Sequence, residues 1–401
     1  MHSIFTTMRA SAISQVLLGW RVLFLLWGAA PLAYYVTAIL AALRFFRRER
    51  GRALPNYAPP VSLLKPVRGA DFGSYENFSS FCRQDYPEYE ILFAANEESD
   101  PVVPLIQRLE GEFPAQRIRL LVGAEQVGAN RKVNKQVRLA REAQHEILVL
   151  TDGDVRVGPN YLREVVAPFA DGKVGAVTSF YRGIAERSIG AEMEGIGASS
   201  DFFAGALVAE WKEGMTFALG ASIVTTKTWV EKIGGFAAIA DQHSDDYELG
   251  HRIAKAGGEV QLSREAVWTM YPAQGLRGFW EHQLRWARTV RLCRPWSYLG
   301  LIFTHGLPWC SLAAFVAASA GWIGVAMMYI AGYFVLRLTM AWTVGVWGVG
   351  DDLLRRRLWL IPLRDAIYFV VWLASFASTR ITWGGEEYTM EKGQMVRTTK
   401  V

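Results

Sequence analysis

Three constellations in this chain carry residue types that can do chemistry. The first is Thr151-Asp152-Gly153-Asp154, which follows the apolar run Leu148-Val149-Leu150. Two carboxylates leaving a buried strand bring hard oxygen ligands together, and such ligands beside phosphates suit Mg2+ or Mn2+. In an extended segment Asp-x-Asp puts both side chains toward one side. The bland alternative is a solvated turn. The second is Asp245-Asp246-Tyr247-Glu248-Leu249, which follows Gly234-Gly235-Phe236 and opens a predicted helix over 247–256. A carboxylate there can simply cap free amides. Two adjacent acids let one cap while the other acts as a general base toward a hydroxyl. The third is His282-Gln283-Leu284-Arg285-Trp286, on a predicted helix over 276–292. Arg matches phosphate geometry and an indole offers stacking surface, so Arg285 and Trp286 suit a diphosphate. Arg288, Arg291 and Arg294 continue the series every three residues. For Arg291 and Arg294 the expected role is contact with an anionic lipid surface.

A weaker signal is Gly128-Ala129-Asn130-Arg131-Lys132-Val133-Asn134 at a predicted helix start. Small residues and a cation at a helix N-terminus suit an anionic ligand. The sequence has no GxxxxGK[ST] phosphate loop, and no GxGxxG follows the first strand, which argues against a dinucleotide dehydrogenase.

The elements that must position these groups alternate. Strands are predicted at 61–64, 90–95, 118–122 and 147–151, with helices at 75–83, 103–113 and 132–143. Strands alternating with helices of this length give an α/β, mostly parallel sheet with crossover helices. Ligands in such sheets bind beyond the carboxyl ends of the strands, where Asp152 emerges.

Around this region the composition segregates. The chain has 401 residues, 51% hydrophobic and 20% charged. Residues 22–43 and 295–336 contain no Asp, Glu, Lys or Arg. Apolar runs of that length read as membrane spans, which excludes a simple soluble globule. The expected organisation is an anchor at 17–44, a basic linker at 45–58, and a catalytic domain at 59–292. A C-terminal membrane region at 296–379 and a tail at 380–401 follow. Spans are expected at about 299–319 and 322–348, turning near Ser319-Ala320-Gly321, with a short re-entrant or third segment at 362–379. Arg337 falls inside the second span and must face protein or a polar cavity.

Arg44, Arg47, Arg48, Arg50 and Arg52 follow the first run, and Arg355, Arg356, Arg357 and Arg364 follow the second. By the positive-inside rule both clusters, and the domain between them, face the cytoplasm. Positive charge after rather than before the apolar core argues for an uncleaved anchor. A net charge of +5 without a recognisable nucleic-acid motif excludes a nucleic-acid partner. Cys82, Cys293 and Cys310 form no CxxC pair, as expected for reduced thiols.

Taken in order, these residues resemble the inverting GT-A glycosyltransferases of the ceramide glucosyltransferase family and its bacterial, hopanoid-related members. Val61-Ser62-Leu63-Leu64-Lys65-Pro66, Asp85-Tyr86-Pro87, the 128–134 segment, Asp152-Gly153-Asp154-Val155-Arg156-Val157, Gly234-Gly235-Phe236, Asp246 and Arg285-Trp286 carry the resemblance. It covers about residues 60–292. The resemblance implies a UDP-sugar donor, a membrane lipid acceptor, and a divalent cation, Mg2+ or Mn2+, on Asp152 and Asp154. It implies Asp246 as general base and Arg285 with Trp286 stabilising the leaving UDP. It places Lys65, Glu97, Lys132, Asn134, Asp152, Asp245 and His282 at the nucleotide-sugar. Glu97, or Asp100 beyond it, stands where the family has Asp. His282 opens the (Q/R)xxRW motif in place of Gln or Arg; the hopanoid branch commonly has His there, which favours a bacterial lipid acceptor and a bacterial-type inner membrane. The alternatives are a hopanoid transferase using N-acetylglucosamine, a processive polysaccharide synthase, and a non-catalytic membrane scaffold. The sugar and the lipid stay open.

Overall fold

The computed structural model describes residues 2–123, 125–383, 386–391 and 394–397; residues 398–401 of the expected tail lie outside the described residues. The first element is a single helix from His2 to Arg50. It does not stop at residue 44. The helix carries its arginines onward, because Arg44 and Arg48 reach Glu210 on the helix Phe203–Glu213 that packs beside it. The linker therefore begins near Gly51.

The catalytic region is built on an eight-stranded sheet. Its strands are β1 (Val61–Pro66), β2 (Tyr89–Ala95), β3 (Arg117–Val122), β4 (Ile147–Thr151), β5 (Val155–Arg156), β6 (Val174–Ala185), β7 (Ser222–Thr226) and β8 (Glu259–Tyr271). Their order is β3-β2-β1-β4-β7-β6-β8-β5. The half from β3 to β4 is parallel throughout. Every residue of β1, β2 and β4 is buried, as continuous apolar runs covered on both faces require. Beyond β4 the sheet becomes mixed: β7 runs antiparallel to both β4 and β6, β6 pairs parallel with β8, and the short β5 pairs antiparallel with β8. This second half carries no clean helix alternation in sequence.

Among the described residues three helices are long and apolar enough to cross a membrane: Leu18–Arg50, Ile323–Val349 and Asp352–Ser375. The segments Pro295–Thr304 and Gly306–Ser319, bent by 46°, make a fourth candidate if counted as one span. The expected straight span at 299–319 is thus broken at His305. The expected turn forms at Gly321, which adopts φ 79° between two helices. The segment expected to be short is the 24-residue helix Asp352–Ser375. Its charges hid its length, because Arg364 and Asp365 look prohibitive until their partners are known. Arg337 is 2% exposed; its guanidinium grips Asp365 through Nε at 2.9 Å and Nη2 at 2.8 Å, and Nη1 donates to the Ser200 carbonyl at 3.1 Å. Asp201 pairs with both Arg337 and Arg364. Charge inside an apolar region survives only when paired in this way.

The C-terminus adds a three-stranded antiparallel sheet of β9 (Arg380–Trp383), β10 (Glu386–Glu391) and β11 (Gln394–Arg397). Ile381, Tyr388, Met390 and Met395 form its core, packed on Ala129 and Leu292.

Candidate active site

The carboxyl ends of β1 and β4 open into a cavity of about 850 Å3. Asp152 and Asp154 lie on its wall, held by a tight turn rather than an extended strand: the Val155 N–H donates back to the Asp152 carbonyl at 3.3 Å. Next, β5 locks onto β8, and the Met270 N–H donates to the Asp154 carbonyl at 3.0 Å. The turn still directs both carboxylates into one cavity. Burial, reinforced by the charge of Asp152, pushes Asp154 up to about 7. That is the state of a carboxylate short of positive charge.

The helix Arg131–Glu142 supplies the cations. Asn130 caps it, its Oδ1 accepting from the Lys132 and Val133 amides at 2.9 and 3.2 Å. Those amides are therefore spent, and an anion here must be met by side chains. Lys132 Nζ lies 2.7 Å from Asp152 Oδ1 and 3.3 Å from Asp245 Oδ2. Burial works against its charge, but Asp152, Asp245 and Asp246 outweigh it and raise the pKa.

Asp245 and Asp246 begin the helix Asp245–Lys255, whose preceding residue Ser244 makes no side-chain cap. Neither acid is a simple cap. Asp245 is held by Lys132 and by Gln136 Nε2 at 3.3 Å. Asp246 forms no ion pair with a described residue, and its carboxylate fills the space a side chain at Gly220 would need, where a Cβ would lie 2.6 Å from Oδ2. Burial and the neighbouring charge of Asp245 push Asp246 up to about 6. A carboxylate tuned toward neutrality, with Lys132 acting on it only at a distance, and facing a cavity can take up a proton.

On the helix Leu276–Cys293, Arg285 lines the cavity, and its guanidinium makes no hydrogen bond to a described residue. Burial lowers its pKa, with Glu194 opposing. Trp286 is exposed to the cavity, and its Nε1 donates to His282 Nε2 at 3.0 Å. The other ring nitrogen of His282 pairs with Glu194. His282 therefore orients Trp286.

Other expected ligands sit elsewhere. Lys65 is fully buried beneath the acidic turn, donating to Thr151 Oγ1 at 2.9 Å and the Asp152 carbonyl at 3.0 Å, with burial lowering its pKa to about 7. It braces β1 against β4 and does not line the cavity. Asn134 accepts from the Val127 and Gly128 amides and donates to the Gly128 carbonyl at 3.0 Å, so it holds the loop before its own helix. Glu97 lines a side cavity of about 270 Å3 that shares Arg68, Gly69, Asn96 and Arg131 with the large one. Asp100 accepts from the Gly69 and Val102 amides and is a turn residue. The basic series also departs from expectation. Arg288 and Arg291 donate to the carbonyls of Arg380 and Ser378 at 2.7 and 2.9 Å, and Arg294 lies over the Phe217 ring. Arg288 and Arg291 thus meet the C-terminal segment, while Arg294 meets a ring of the catalytic domain.

Sequence reasoning missed Glu194, His243 and Trp383. Glu194 is one of two acids, with Glu192, in the Gly-rich helix Ile189–Gly197, and nothing in the sequence marks which of them turns inward. His243 precedes the acidic pair; burial and Arg285 push it down to about 4, so it is neutral. Trp383 comes from β9 and packs edge-on against His243 with ring centroids 5.6 Å apart. No local pattern announces it.

A mixed sheet with an Asp-x-Asp turn at its carboxyl edge, cationic and acidic walls and an unpaired arginine defines a GT-A-type glycosyltransferase. The chain belongs to glycosyl transferase family 21, whose model matches residues 23–396. It is 21% identical over 383 residues to ceramide glucosyltransferase 1 of Caenorhabditis elegans, covering 91% of this chain and 79% of that protein. It is 25% identical over 169 residues to ceramide glucosyltransferase of Gibberella zeae, covering 39% of this chain and 32% of that protein. Among solved structures it is similar to the mannosyltransferase PcManGT from Pyrobaculum calidifontis, in complex with GDP-Man and Mn2+. That match has a TM-score of 0.50 and 17% identity, covering 87% of this chain and 99% of that one. The fold and the family agree that the protein is a hexosyltransferase.

Proposed function

We propose that this enzyme moves a hexose from a UDP-sugar to the hydroxyl of a membrane lipid by one inverting displacement; relatives named ceramide glucosyltransferase support a lipid acceptor. The observation that carries this reading is one continuous cavity. It is lined both by the charged Asp152, Asp154, Lys132 and Arg285 and by Tyr298 and Tyr368 from the apolar segments Pro295–Thr304 and Asp352–Ser375. A water-soluble donor meets the charged groups and a bilayer-borne acceptor the apolar segments. The catalytic domain then faces the cytoplasm, as the arginine borders imply.

Asp246 takes the proton from the acceptor hydroxyl as its oxygen attacks the anomeric carbon from the face opposite the leaving group. Arg285 donates to the departing diphosphate, and Trp286, fixed by His282, packs on the donor. Lys132 holds Asp152 and Asp245 in register between the two half-sites. Asp152 and Asp154 would hold a divalent ion: two carboxylates line one cavity, and Asp154 is short of positive charge. Mg2+ or Mn2+ takes few protein oxygens and completes its shell with phosphate and water. Such an ion supplies charge neutralisation at the diphosphate. Most of the rate enhancement comes from positioning and fixed charge.

Asp246→Asn keeps the shape and removes the proton acceptor. Transfer should fall by roughly 10^2- to 10^4-fold while UDP-sugar binding, measured by titration calorimetry, persists. Near-wild-type transfer would remove Asp246 from its role. Chelation by EDTA should abolish UDP release, with recovery on adding Mn2+ or Mg2+; full activity in EDTA would show that Asp152 and Asp154 work without metal.

A further inference from the structure

One buried acid in the cavity wall is aimed at the donor-packing tryptophan through a second side chain. Glu194, on the helix Ile189–Gly197, has its side chain 7% exposed. Its Oε1 meets His282 Nδ1, and its Oε2 accepts from Gln274 Nε2. Gln274 is itself seated. Its backbone N–H donates to Ser188 Oγ at 3.0 Å, and its carbonyl oxygen would lie 2.5 Å from a Cβ at Gly190. The helix that carries Glu194 and the segment that follows β8 are thus locked together beside the carboxylate.

Chemistry fixes the direction of each hydrogen bond. An indole N–H can only donate, so His282 Nε2, which receives Trp286 Nε1 at 3.0 Å, carries no proton. The neutral imidazole then holds its proton on Nδ1. An ionised carboxylate can only accept, so it is the partner that keeps the proton there. The two rings stand 82° apart with centroids at 6.1 Å, so a hydrogen bond joins them and not a stack. Trp286 lines the cavity and is 44% exposed, so its ring depends on this bond more than on packing.

We infer that Glu194 is a positioning residue for the transfer: by holding His282 in its Nδ1–H form it leaves Nε2 to accept from Trp286, and so sets the angle at which the indole meets the donor. This rests on the reading above that Trp286 packs on the donor. Glu194 touches no reacting atom. A glutamine in its place can face the imidazole with its oxygen or with its NH2, and the second choice turns Nε2 into a donor that repels the indole N–H. The charge of Glu194 also reaches Arg285, which is a second route by which it can act.

The test uses the full chain in nanodiscs made from a total membrane lipid extract. The donor is whichever of UDP-glucose, UDP-galactose, UDP-N-acetylglucosamine and UDP-glucuronate wild type transfers fastest. The kcat/KM for that donor is measured for wild type, Glu194→Ala, Trp286→Phe and the double variant. Trp286→Phe keeps a ring and loses the indole N–H. Each single change should lower kcat/KM by about three- to tenfold, as the loss of one hydrogen bond does. The double variant should match Trp286→Phe within about twofold, because both changes break the same link. Glu194→Gln should fall between wild type and Glu194→Ala, and it takes the place of Glu194→Ala in the cycle if that variant misfolds. Losses that multiply in the double variant would show Glu194 acting on the fold or through Arg285, and would overturn the inference. Wild-type kinetics in Trp286→Phe would overturn it as well, while leaving the ring its place on the donor. Wild-type kinetics in Trp286→Ala, or no wild-type turnover of any of these donors, would instead overturn the donor reading itself and the inference with it.

Discussion

Asp246 and Asp245 are chemically identical neighbours that the structure gives different work. Lys132 and Gln136 occupy Asp245, whereas Asp246 keeps a carboxylate against Gly220 and forms no ion pair with a described residue. The difference predicts a pH profile. Burial and Asp245 raise Asp246 to about 6, and the base works only when ionised. The acid limb of kcat/KM should therefore be full above that pH and fall about tenfold per unit below it. A profile flat down to pH 5 would contradict the assignment. That the acidic turn, Asp246, Arg285 and Trp286 share one cavity was legible, because such residue types stand out at strand ends and helix starts. Lys65 and Asn134, expected at the same place, do not line that cavity: their described partners are Thr151, Asp152, Val127 and Gly128. Only three-dimensional neighbours separate a ligand from a brace.

Among the elements, the sheet half from β3 to β4 could be read from sequence, since its short, mostly apolar strands alternate with helices. The half built from β6, β7 and β8 could not, because β6 and β8 are long and partly polar and the alternation with helices is lost. The C-terminal sheet was invisible for another reason: its partners are distant in sequence. The Met395 N–H donates to the Asp241 carbonyl at 2.8 Å, and Ala129 and Asn130 hold Asp241 and Gln242 from the opposite side at 2.9 and 2.7 Å. The segment that leads into Asp245-Asp246 is thus clamped between the helix Arg131–Glu142 and β11. A chain ending at Thr379 loses that clamp and Trp383 together. Its kcat should drop, by up to about 10^2-fold if the base shifts by 1 Å, while circular dichroism of the main sheet stays intact. Trp383→Ala, which keeps the clamp, should weaken donor binding with a smaller effect on kcat. Unchanged kinetics in both would deny the sheet any part in the site.

At the scale of the molecule, the segregated composition reflects two substrates with opposite solubilities and one cavity joining them. The apolar helices are tied to the catalytic domain by buried charge, through Arg337, Asp365, Asp201 and Arg364. Arg337→Leu leaves Asp365 without its cation and takes one of two from Asp201, and should destabilise the fold by roughly 3–5 kcal/mol, read as a lower unfolding midpoint in detergent. An unchanged midpoint would show that the domain and the helices are held together by other contacts. The central claim is a single displacement at the anomeric carbon, driven by Asp246 on a lipid hydroxyl. It is tested most directly by the anomeric configuration of the glycolipid made from a UDP-α-hexose, read by proton NMR on the purified product. The account predicts a β-linked glycolipid, formed one for one with UDP and missing in Asp246→Asn. An α-linked product would contradict it.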